Sequence, residues 1–226
     1  MRVLVVAPHA DDETLGAGGV MARYAAEGHD VFVAVMTGHG EKGPHPVFPA
    51  ESWHIVRAEA RRAYEILGVK DVFFYELPAV QVSEQPLWEV NRAALNALEK
   101  ARPDRLYVPF LYDLHRDHRE IFHAFSVAWR PTTPLGRAIG EIYAYETQSE
   151  THWNAPYLEP GFVPNTWVDI SPYLEQKVEA LKCFRSQMRP VPEARSIEAI
   201  AALAAWRGSQ MHLAAAEAFV AVRLRR

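Results

Sequence analysis

Residues 3–13 read Val3-Leu4-Val5-Val6-Ala7-Pro8-His9-Ala10-Asp11-Asp12-Glu13. The apolar run 3–7 predicts a buried strand, and the polar residues that follow lie at its carboxyl end. Adjacent carboxylates repel one another, and moving each out of water costs several kcal/mol unless a counter-charge is present. The segment therefore predicts a divalent metal site. A solvated turn that caps the next helix is the alternative, but capping needs one Asp and leaves His9 unexplained.

A second polar cluster follows a second apolar run, residues 106–110. It reads Asp113-Leu114-His115-Arg116-Asp117-His118-Arg119-Glu120. His115 and His118 stand three positions apart at the start of a predicted helix, so they can face the same point. Imidazole suits zinc, iron or nickel. Taken alone, this spacing is more typical of surface histidines than of a metal site.

Segments with strand and helix character alternate through the first two thirds of the chain. The predicted strands are 3–7, 31–36, 72–77 and 106–110, and the predicted helices are 14–27, 53–67 and 87–100. This order predicts an α/β fold, a Rossmann-like three-layer sandwich with a mostly parallel sheet. In such sheets the active site lies at the carboxyl ends of the strands. Both polar clusters lie there, so we predict that they form one site.

The last third of the chain is less regular. We predict a helix over 118–129, a strand over 141–146, a long loop over 150–165 and a strand over 166–170. Ser171 is expected to begin a helix that runs to about Gln187, and helical periodicity resumes near Ser196. The arginine-rich end, 223–226, is expected to be a solvated helix end. No internal repeat or linker divides the sequence, so we expect residues 1–226 to form a single domain.

Composition excludes several classes of function. The chain has 226 residues, 49% of them hydrophobic, which suffices for a sizeable core. With 24 Lys and Arg against 28 Asp and Glu, the net charge of -4 does not recommend a nucleic-acid partner. Cys183 is the single cysteine, which excludes an intrachain disulfide and a cysteine-rich zinc site. The apolar start is too short for a signal-peptide core, and no run reaches the roughly 18 residues of a membrane span, so we expect a cytoplasmic protein.

The two motifs resemble those of the LmbE-like or PIG-L family of metal-dependent de-N-acetylases. Pro8–Gly16, with Gly18-Gly19 behind it, is similar to the opening motif of that family, and His115–His118 to its second motif. Weaker similarities cover nearly the whole chain: Thr37-Gly38, 57–68, Pro164-Asn165, 168–170, Ser186-Gln187, Arg207-Gly208 and 216–219. The family commonly has Pro where this chain has Ala10 and Arg116, two positions that supply no catalytic group.

The resemblance implies that His9, Asp12 and His118 hold the metal, expected to be Zn²⁺, with Fe²⁺ or another divalent ion as alternatives. It also implies that Asp11 is the general base and that His115 stabilises or protonates the reacting amide. Three protein ligands leave one coordination position open, as a catalytic zinc requires. Two neutral imidazoles and one carboxylate leave a net positive charge, which would polarise the amide carbonyl.

Further residues are expected to support this chemistry. Asp113 or Asp117 would hold His115 in a protonated state. Candidate substrate-binding residues are Arg57, Asp113 and Tyr145. Arg57 fits a solvated helix face equally well, because its helix is strongly charged. Tyr145, or Tyr112, is also a candidate to contact the oxyanion.

The resemblance implies an N-deacetylase whose partner is a small N-acetylated sugar or glycoconjugate of the N-acetylglucosamine type. Similar proteins frequently form trimers or hexamers.

Three alternatives stay open at this point. One is a non-haem iron oxygenase with a facial triad, which normally sits in an antiparallel β-barrel. Another is a related amidase that cuts a different amide. The third is a metal-binding or sugar-binding module, against which Asp11 argues, because binding alone needs no base.

Overall fold

A computed structural model describes residues 1–40 and 43–225. Short 3₁₀ turns at Val82–Glu84 and Ser171–Tyr173 accompany the regular elements. In chain order the helices and strands are β1 Arg2–Ala7, α1 Asp12–Ala26, β2 Asp30–Gly38, α2 Ala50–Leu67, β3 Asp71–Pro78, α3 Leu87–Ala101, β4 Arg105–Pro109, α4 Arg116–Ala128, α5 Pro134–Ala138, β5 Glu141–Tyr145, α6 Gln148–Thr151, β6 Thr166–Asp169, α7 Leu174–Cys183, α8 Ile197–Ser209 and β7 Ala216–Leu224.

The strands form a 7-stranded sheet in the order β3-β2-β1-β4-β5-β7-β6. Strands β1 to β5 pair in parallel, whereas β7 is antiparallel to both of its neighbours. The predicted α/β fold with a mostly parallel sheet is therefore confirmed. The chain winds outward from β1 to β3 and then crosses back to β4, so the strand order reverses between β1 and β4. Ligands of open α/β sheets bind beyond the carboxyl ends of the strands at such a reversal.

Strand β1 is almost completely buried because helices cover both faces of the sheet. Its side chains alternate between two apolar clusters. Val3 and Val5 belong to the cluster that includes residues of α1, α2 and α7. Leu4 and Val6 belong to the cluster that includes residues of α3 and α4. Among the residues that the structure describes, no helix has the length and apolar character needed to cross a membrane.

Helix α1 is broken at Ala17, whose backbone is not helical (φ -141°, ψ 17°). Two backbone N–H groups that follow the break donate to the Glu217 carboxylate at 2.8 and 2.7 Å. On the other side of the break, Lys177 Nζ donates to the Leu15 carbonyl and to Glu217, both at 2.7 Å. Lys177 and Glu217 are both buried. This ion pair therefore takes the place of helical hydrogen bonds that the break removes.

The carboxyl-terminal end differs from its prediction. Of the segment expected to be a helix end, Arg223 and Leu224 belong to β7, where they pair with Ile142 and Glu141 of β5. Arg226 lies outside the described residues. An isolated arginine-rich stretch carries no strong strand signal, and the partner strand lies about 80 positions away in the sequence. The predicted helix end at 223–226 is therefore wrong for the described part of that segment.

The helix predicted from Ser171 to Gln187 is also shorter than expected. Ser171 donates through its hydroxyl and its backbone N–H to Asp169 Oδ1, at 2.6 and 2.9 Å, and this local turn delays the helix to Leu174. At the other end, Ser186 donates to the buried Glu59 carboxylate at 3.0 and 2.6 Å. These contacts hold residues 184–187 outside α7. The predicted long loop over 150–165 also begins within a short helix, α6.

Candidate metal centre

The two polar motifs meet where the strand order reverses. His9 and Asp12 follow β1, and His118 lies in the first turn of α4, which follows β4. Asp12 Oδ2 lies 3.3 Å from His9 Nδ1 and 3.2 Å from His118 Nε2. The three groups can together hold a metal ion, since their ligand atoms lie within 4.8 Å of one another. The fold thus brings together the three residues expected to be ligands.

The donor set fits a divalent cation. Asp12 is fully buried, and its Oδ1 atom has no hydrogen-bond partner within the described part of the chain. An unpartnered buried carboxylate oxygen is costly unless an ion or water satisfies it. The separations of 3.2 and 3.3 Å also match the edge of a tetrahedron, about 3.3 Å, for metal–ligand bonds of about 2.0–2.1 Å. Two imidazoles and a carboxylate suit zinc or iron.

A second group, His9, His115 and Asp117, has metal-compatible spacing as well. Its carboxylate and one nitrogen of His115 already have protein partners. The Asp117 carboxylate accepts the backbone N–H of Val80 at 2.6 Å and that of Val82 at 3.3 Å. His115 Nδ1 accepts the backbone N–H of Asp117 at 3.2 Å. The group around Asp12 is therefore the better cation site, because it retains an unsatisfied ligand atom.

Each histidine of this site has a second carboxylate on its other ring nitrogen. His118 Nδ1 lies 2.8 Å from Asp113 Oδ2, and Asp113 Oδ1 accepts from Thr151 Oγ1 at 2.5 Å. His9 Nε2 lies 3.0 Å from Asp117 Oδ2. Such carboxylates orient metal-binding imidazoles and fix their tautomers. Asp113, which we expected to contact substrate or His115, is fully buried behind His118 instead.

Asp11 is held in an uncommon backbone conformation beside this site. Its φ of 145° is rare for a residue other than glycine and costs on the order of 1–3 kcal/mol. The Asp11 N–H donates to Glu13 Oε2 at 3.2 Å, and its carboxylate accepts from Arg195 Nη1 at 2.7 Å. Burial raises the pKa of Asp11, and the Arg195 guanidinium opposes that rise. Arg195 could not be identified from the sequence, because an isolated arginine in a Pro-rich loop carries no motif.

His115 is the N-cap of α4, and its Nδ1 atom is the capping acceptor. Because Nδ1 accepts the Asp117 N–H, the proton of the neutral ring lies on Nε2. Burial and the neighbouring His9 lower the pKa of His115 to about 4, so the ring is neutral at pH 7. We expected a protonated His115 held by Asp113 or Asp117. Asp113 contacts His118 instead, and the Asp117 carboxylate lies 4.0 Å from His115 Nδ1.

A cavity of about 240 Å³ opens onto Asp11, His9 and His115. Segments that follow β2 and β3 contribute its apolar wall, Phe48, Trp53, Val56, Ala79 and Val80. The remaining polar residues that line it are Ser52, Glu150, Gln187 and Arg195. Val80 has a left-handed backbone (φ 59°) that its hydrogen bond to Asp117 holds in place. The aromatic residues of this wall could not be identified from the sequence, because the segments that line the cavity meet only in the fold.

Two predicted substrate-binding residues lie elsewhere. Arg57 forms an ion pair with Glu76, and its guanidinium lies 5.4 Å from the centre of the Phe74 ring. Tyr145 is fully buried, and its hydroxyl donates to the Val6 carbonyl at 2.8 Å. Neither residue lines the cavity. Their residue types suggested binding, but their partners depend on the tertiary structure.

Comparison with known proteins decides the family. The family model of PIG-L, described as GlcNAc-PI de-N-acetylase, matches residues 4–129, a span that contains both polar motifs. The chain belongs to the PIG-L family. The resemblance inferred from the sequence is thereby confirmed, and the protein is an amide hydrolase of the N-deacetylase type.

Individual relatives agree with this family. A 1D-myo-inositol 2-acetamido-2-deoxy-alpha-D-glucopyranoside deacetylase of Thermobifida fusca is 39% identical over 241 residues, covering 83% of each chain. The diacetylchitobiose deacetylase of Thermococcus kodakarensis is 27% identical over 199 residues, covering 82% of this chain and 70% of the relative. Among solved structures, a conserved protein of Thermus thermophilus superposes with a TM-score of 0.76 at 26% identity, covering 98% of this chain and 95% of the other.

Proposed function

We propose that this PIG-L family protein removes the acetyl group from an N-acetylated sugar or sugar conjugate of the N-acetylglucosamine type. The products are acetate and a free amine. The observation that carries the proposal is the buried Asp12 carboxylate between His9 and His118, whose Oδ1 atom has no partner among the described residues. It lies beside a cavity that Asp11 and His115 line. The two curated relatives, both named for acetylated sugars, support the substrate class.

The proposed metal ligands are His9, Asp12 and His118. We propose Zn²⁺ as the ion, with Fe²⁺ or another divalent ion as the alternative, because two imidazoles and one carboxylate form a common catalytic zinc set with an open position. A bound divalent ion would lower the pKa of a water molecule and polarise the amide carbonyl. Asp117 and Asp113 would keep the two imidazoles in the orientation that coordination requires.

Asp11 is the proposed general base. Its carboxylate lies next to the ligand Asp12 in the chain and lines the cavity. Asp11 accepts a proton from the water molecule whose oxygen attacks the carbonyl carbon, and a tetrahedral oxyanion forms. When the C–N bond breaks, the Asp11 carboxyl returns this proton to the nitrogen of the leaving amine. The carboxylate is thereby restored, and no other proton donor is needed.

His115 is the proposed stabiliser of the oxyanion. The neutral ring carries its proton on Nε2, because Nδ1 accepts the Asp117 N–H. His115 Nε2 therefore donates a hydrogen bond to the oxyanion as charge develops on it. A donor fixed in this way needs no reorganisation during the reaction, which is the basis of oxyanion stabilisation.

The cavity supports an amino sugar as the substrate. A sugar ring has an apolar face, which suits Trp53 and Phe48, and a rim of hydroxyl groups, which suits Glu150 and Gln187. The non-haem iron oxygenase is not favoured, since the chain belongs to a hydrolase family and its sheet is mostly parallel.

Replacement of the proposed base tests this function. Asp11→Asn should lower acetate release from N-acetylglucosamine or N,N′-diacetylchitobiose by about 10²–10⁴-fold, the usual contribution of a general base. Its zinc content, measured by inductively coupled plasma mass spectrometry, should equal that of wild type. Asp71→Asn, at an exposed position in β3, is the matched control.

Wild-type turnover in the zinc-loaded Asp11→Asn protein would contradict the proposed role of Asp11. Oxygen uptake that depends on oxoglutarate, without acetate release from either sugar, would instead support the oxygenase. Acetate release from other N-acetyl amides, but from neither sugar, would point to an amidase with a different substrate.

A further inference from the structure

We propose that Arg195 is a positioning residue that fixes the Asp11 carboxylate for proton transfer. This inference rests on the proposed role of Asp11 as general base. Arg195 lies 184 positions from Asp11 in the sequence, in the loop between α7 and α8, and its guanidinium reaches the cavity. No motif places it there, so its position is evident only from the fold.

The contacts of Arg195 connect two parts of the site. Nη1 donates to Asp11 Oδ2 at 2.7 Å, and Nε donates to Ser149 Oγ at 3.0 Å. Nη2 lies 3.9 Å from Glu150 Oε1. Ser149 and Glu150 belong to the short helix α6, which follows β5. The guanidinium plane is thus held from the side of α6 while one of its N–H groups faces Asp11.

The backbone on which Arg195 stands is also fixed. The next residue, Ser196, is the N-cap of α8, and its hydroxyl accepts the Ala199 N–H at 3.2 Å. The Ser196 N–H donates to the Glu193 carbonyl at 3.0 Å. Ser196 is buried. The side chain of Arg195 therefore extends from an anchored point into the cavity.

Asp11 needs such a partner. In the described ranges, 1–40 and 43–225, no other side chain donates a hydrogen bond to the Asp11 carboxylate. Asp11 is buried directly beside Asp12, so repulsion between the carboxylates would turn the Asp11 side chain away without a counter-charge. A general base that is misplaced by about 1 Å can lose roughly 10²-fold in rate. The Arg195 guanidinium opposes this displacement and sets the direction of the carboxylate.

Removal of the guanidinium tests the inference. Arg195→Gln should lower kcat for acetate release from N-acetylglucosamine by about 10–100-fold, the range typical of a supporting residue. KM and zinc content should stay near wild type, because the side-chain contacts of Arg195 are with Asp11, Ser149 and Glu150 and not with the three proposed zinc ligands. Arg195→Lys keeps the charge but cannot contact Asp11 and Ser149 at once, so it should restore only part of kcat. Arg185→Gln, at an exposed position of the same loop, is the matched control.

A double variant separates this role from others. In the Asp11→Asn background, Arg195→Gln should cause no further loss, because a positioning residue acts only through the group that it positions. An equal loss in both backgrounds would overturn the inference. So would a change in KM with kcat unaffected, which would show that Arg195 binds substrate instead.

A milder variant covers the case in which Arg195→Gln does not fold. Ser149→Ala removes the contact that orients the guanidinium while Arg195 itself is retained. It should lower kcat by less than Arg195→Gln does, and leave KM unchanged. Wild-type kcat in Ser149→Ala together with full rescue by Arg195→Lys would refute positioning. Failure of the proposed function gives a different result, namely wild-type turnover in Asp11→Asn.

Discussion

Asp113 determines how His118 faces the candidate metal site. Its buried carboxylate accepts a hydrogen bond from His118 Nδ1, and Thr151 holds its second oxygen. The proton of His118 is thereby kept on Nδ1, which leaves the lone pair of Nε2 directed toward Asp12. Asp113 is not a proposed metal ligand, but its carboxylate determines whether His118 Nε2 can bind a metal ion.

Asp113→Asn should therefore weaken metal binding. Its neutral amide can place an N–H instead of an oxygen toward His118, and the preferred tautomer is then lost. We expect the Kd for Zn²⁺ to rise by about 10–100-fold, measured by competition with a chromophoric chelator. Asp71→Asn serves as the surface control. An unchanged Kd would show that Asp113 has only a packing role.

Individual site residues could be predicted from the sequence where they belong to a short contiguous motif. His9 and Asp12 stand in one motif and His118 in another, and the topology of a parallel sheet predicted that they would meet. The substrate role expected of Asp113 was drawn from its position next to a motif, which cannot show that its partner is His118. Arg195 stands alone in its loop, and its contact with Asp11 depends on the path of a segment that carries no periodic pattern.

At the scale of single elements, the break in α1 depends on two buried charges. Lys177 of α7 and Glu217 of β7 satisfy the backbone groups on either side of Ala17. Loss of one member of a buried pair leaves the other charge without a partner and also leaves backbone groups unsatisfied.

Lys177→Met should lower the free energy of unfolding by about 3–5 kcal/mol, measured by urea denaturation. Lys182→Met is the control, because Lys182 pairs with Glu179 on the surface, where such a pair contributes about 0–1 kcal/mol. The double variant Lys177→Met/Glu217→Gln should lose less than the sum of the single variants. Equal losses for Lys177→Met and Lys182→Met would contradict this account.

The regular elements of the first two thirds were predictable because their apolar residues follow clear periods of two or 3.6. Strand β7 was not predictable from the sequence, because it pairs between β5 and β6 and its carboxyl-terminal half is only partly buried or exposed. The stability of such a strand comes from partners distant in the sequence. The early end of α7 likewise depends on Glu59, a residue of α2 that contacts Ser186.

At the scale of the whole molecule, Glu146 joins the segment that follows β5 to the distant helix α8. It follows β5, accepts two hydrogen bonds from Arg207 of α8 at 2.8 and 2.6 Å, and lies 2.8 Å from His152 Nε2. Burial by itself would raise the pKa of Glu146, but the hydrogen bonds from His152 and Arg207 outweigh it and hold the pKa below its usual value of 4.5.

This shift predicts a pH dependence of stability. Because the pKa of Glu146 is lower in the folded than in the unfolded state, its contribution is complete above pH 4.5 and is lost as the pH falls through the folded value. Glu146→Gln should therefore have a lower Tm than wild type at pH 7, and the difference should narrow as the pH falls below about 4.5. Thermal melts across this range, with Glu141→Gln as the control, measure the effect. A constant difference would refute it.

The break at Ala17 also separates Asp12, a proposed metal ligand, from the outer end of its own helix. In an uninterrupted helix, a displacement at one end travels along the hydrogen-bond ladder to the other. Here the ladder is interrupted between Asp12 and the longer outer part of α1. A displacement caused by fraying or by a substitution near Ala26 reaches the Asp12 carboxylate only by way of the Lys177–Glu217 ion pair, which contacts the backbone on both sides of the break. The proposed coordinating carboxylate is therefore mechanically insulated from the exposed carboxyl-terminal end of α1.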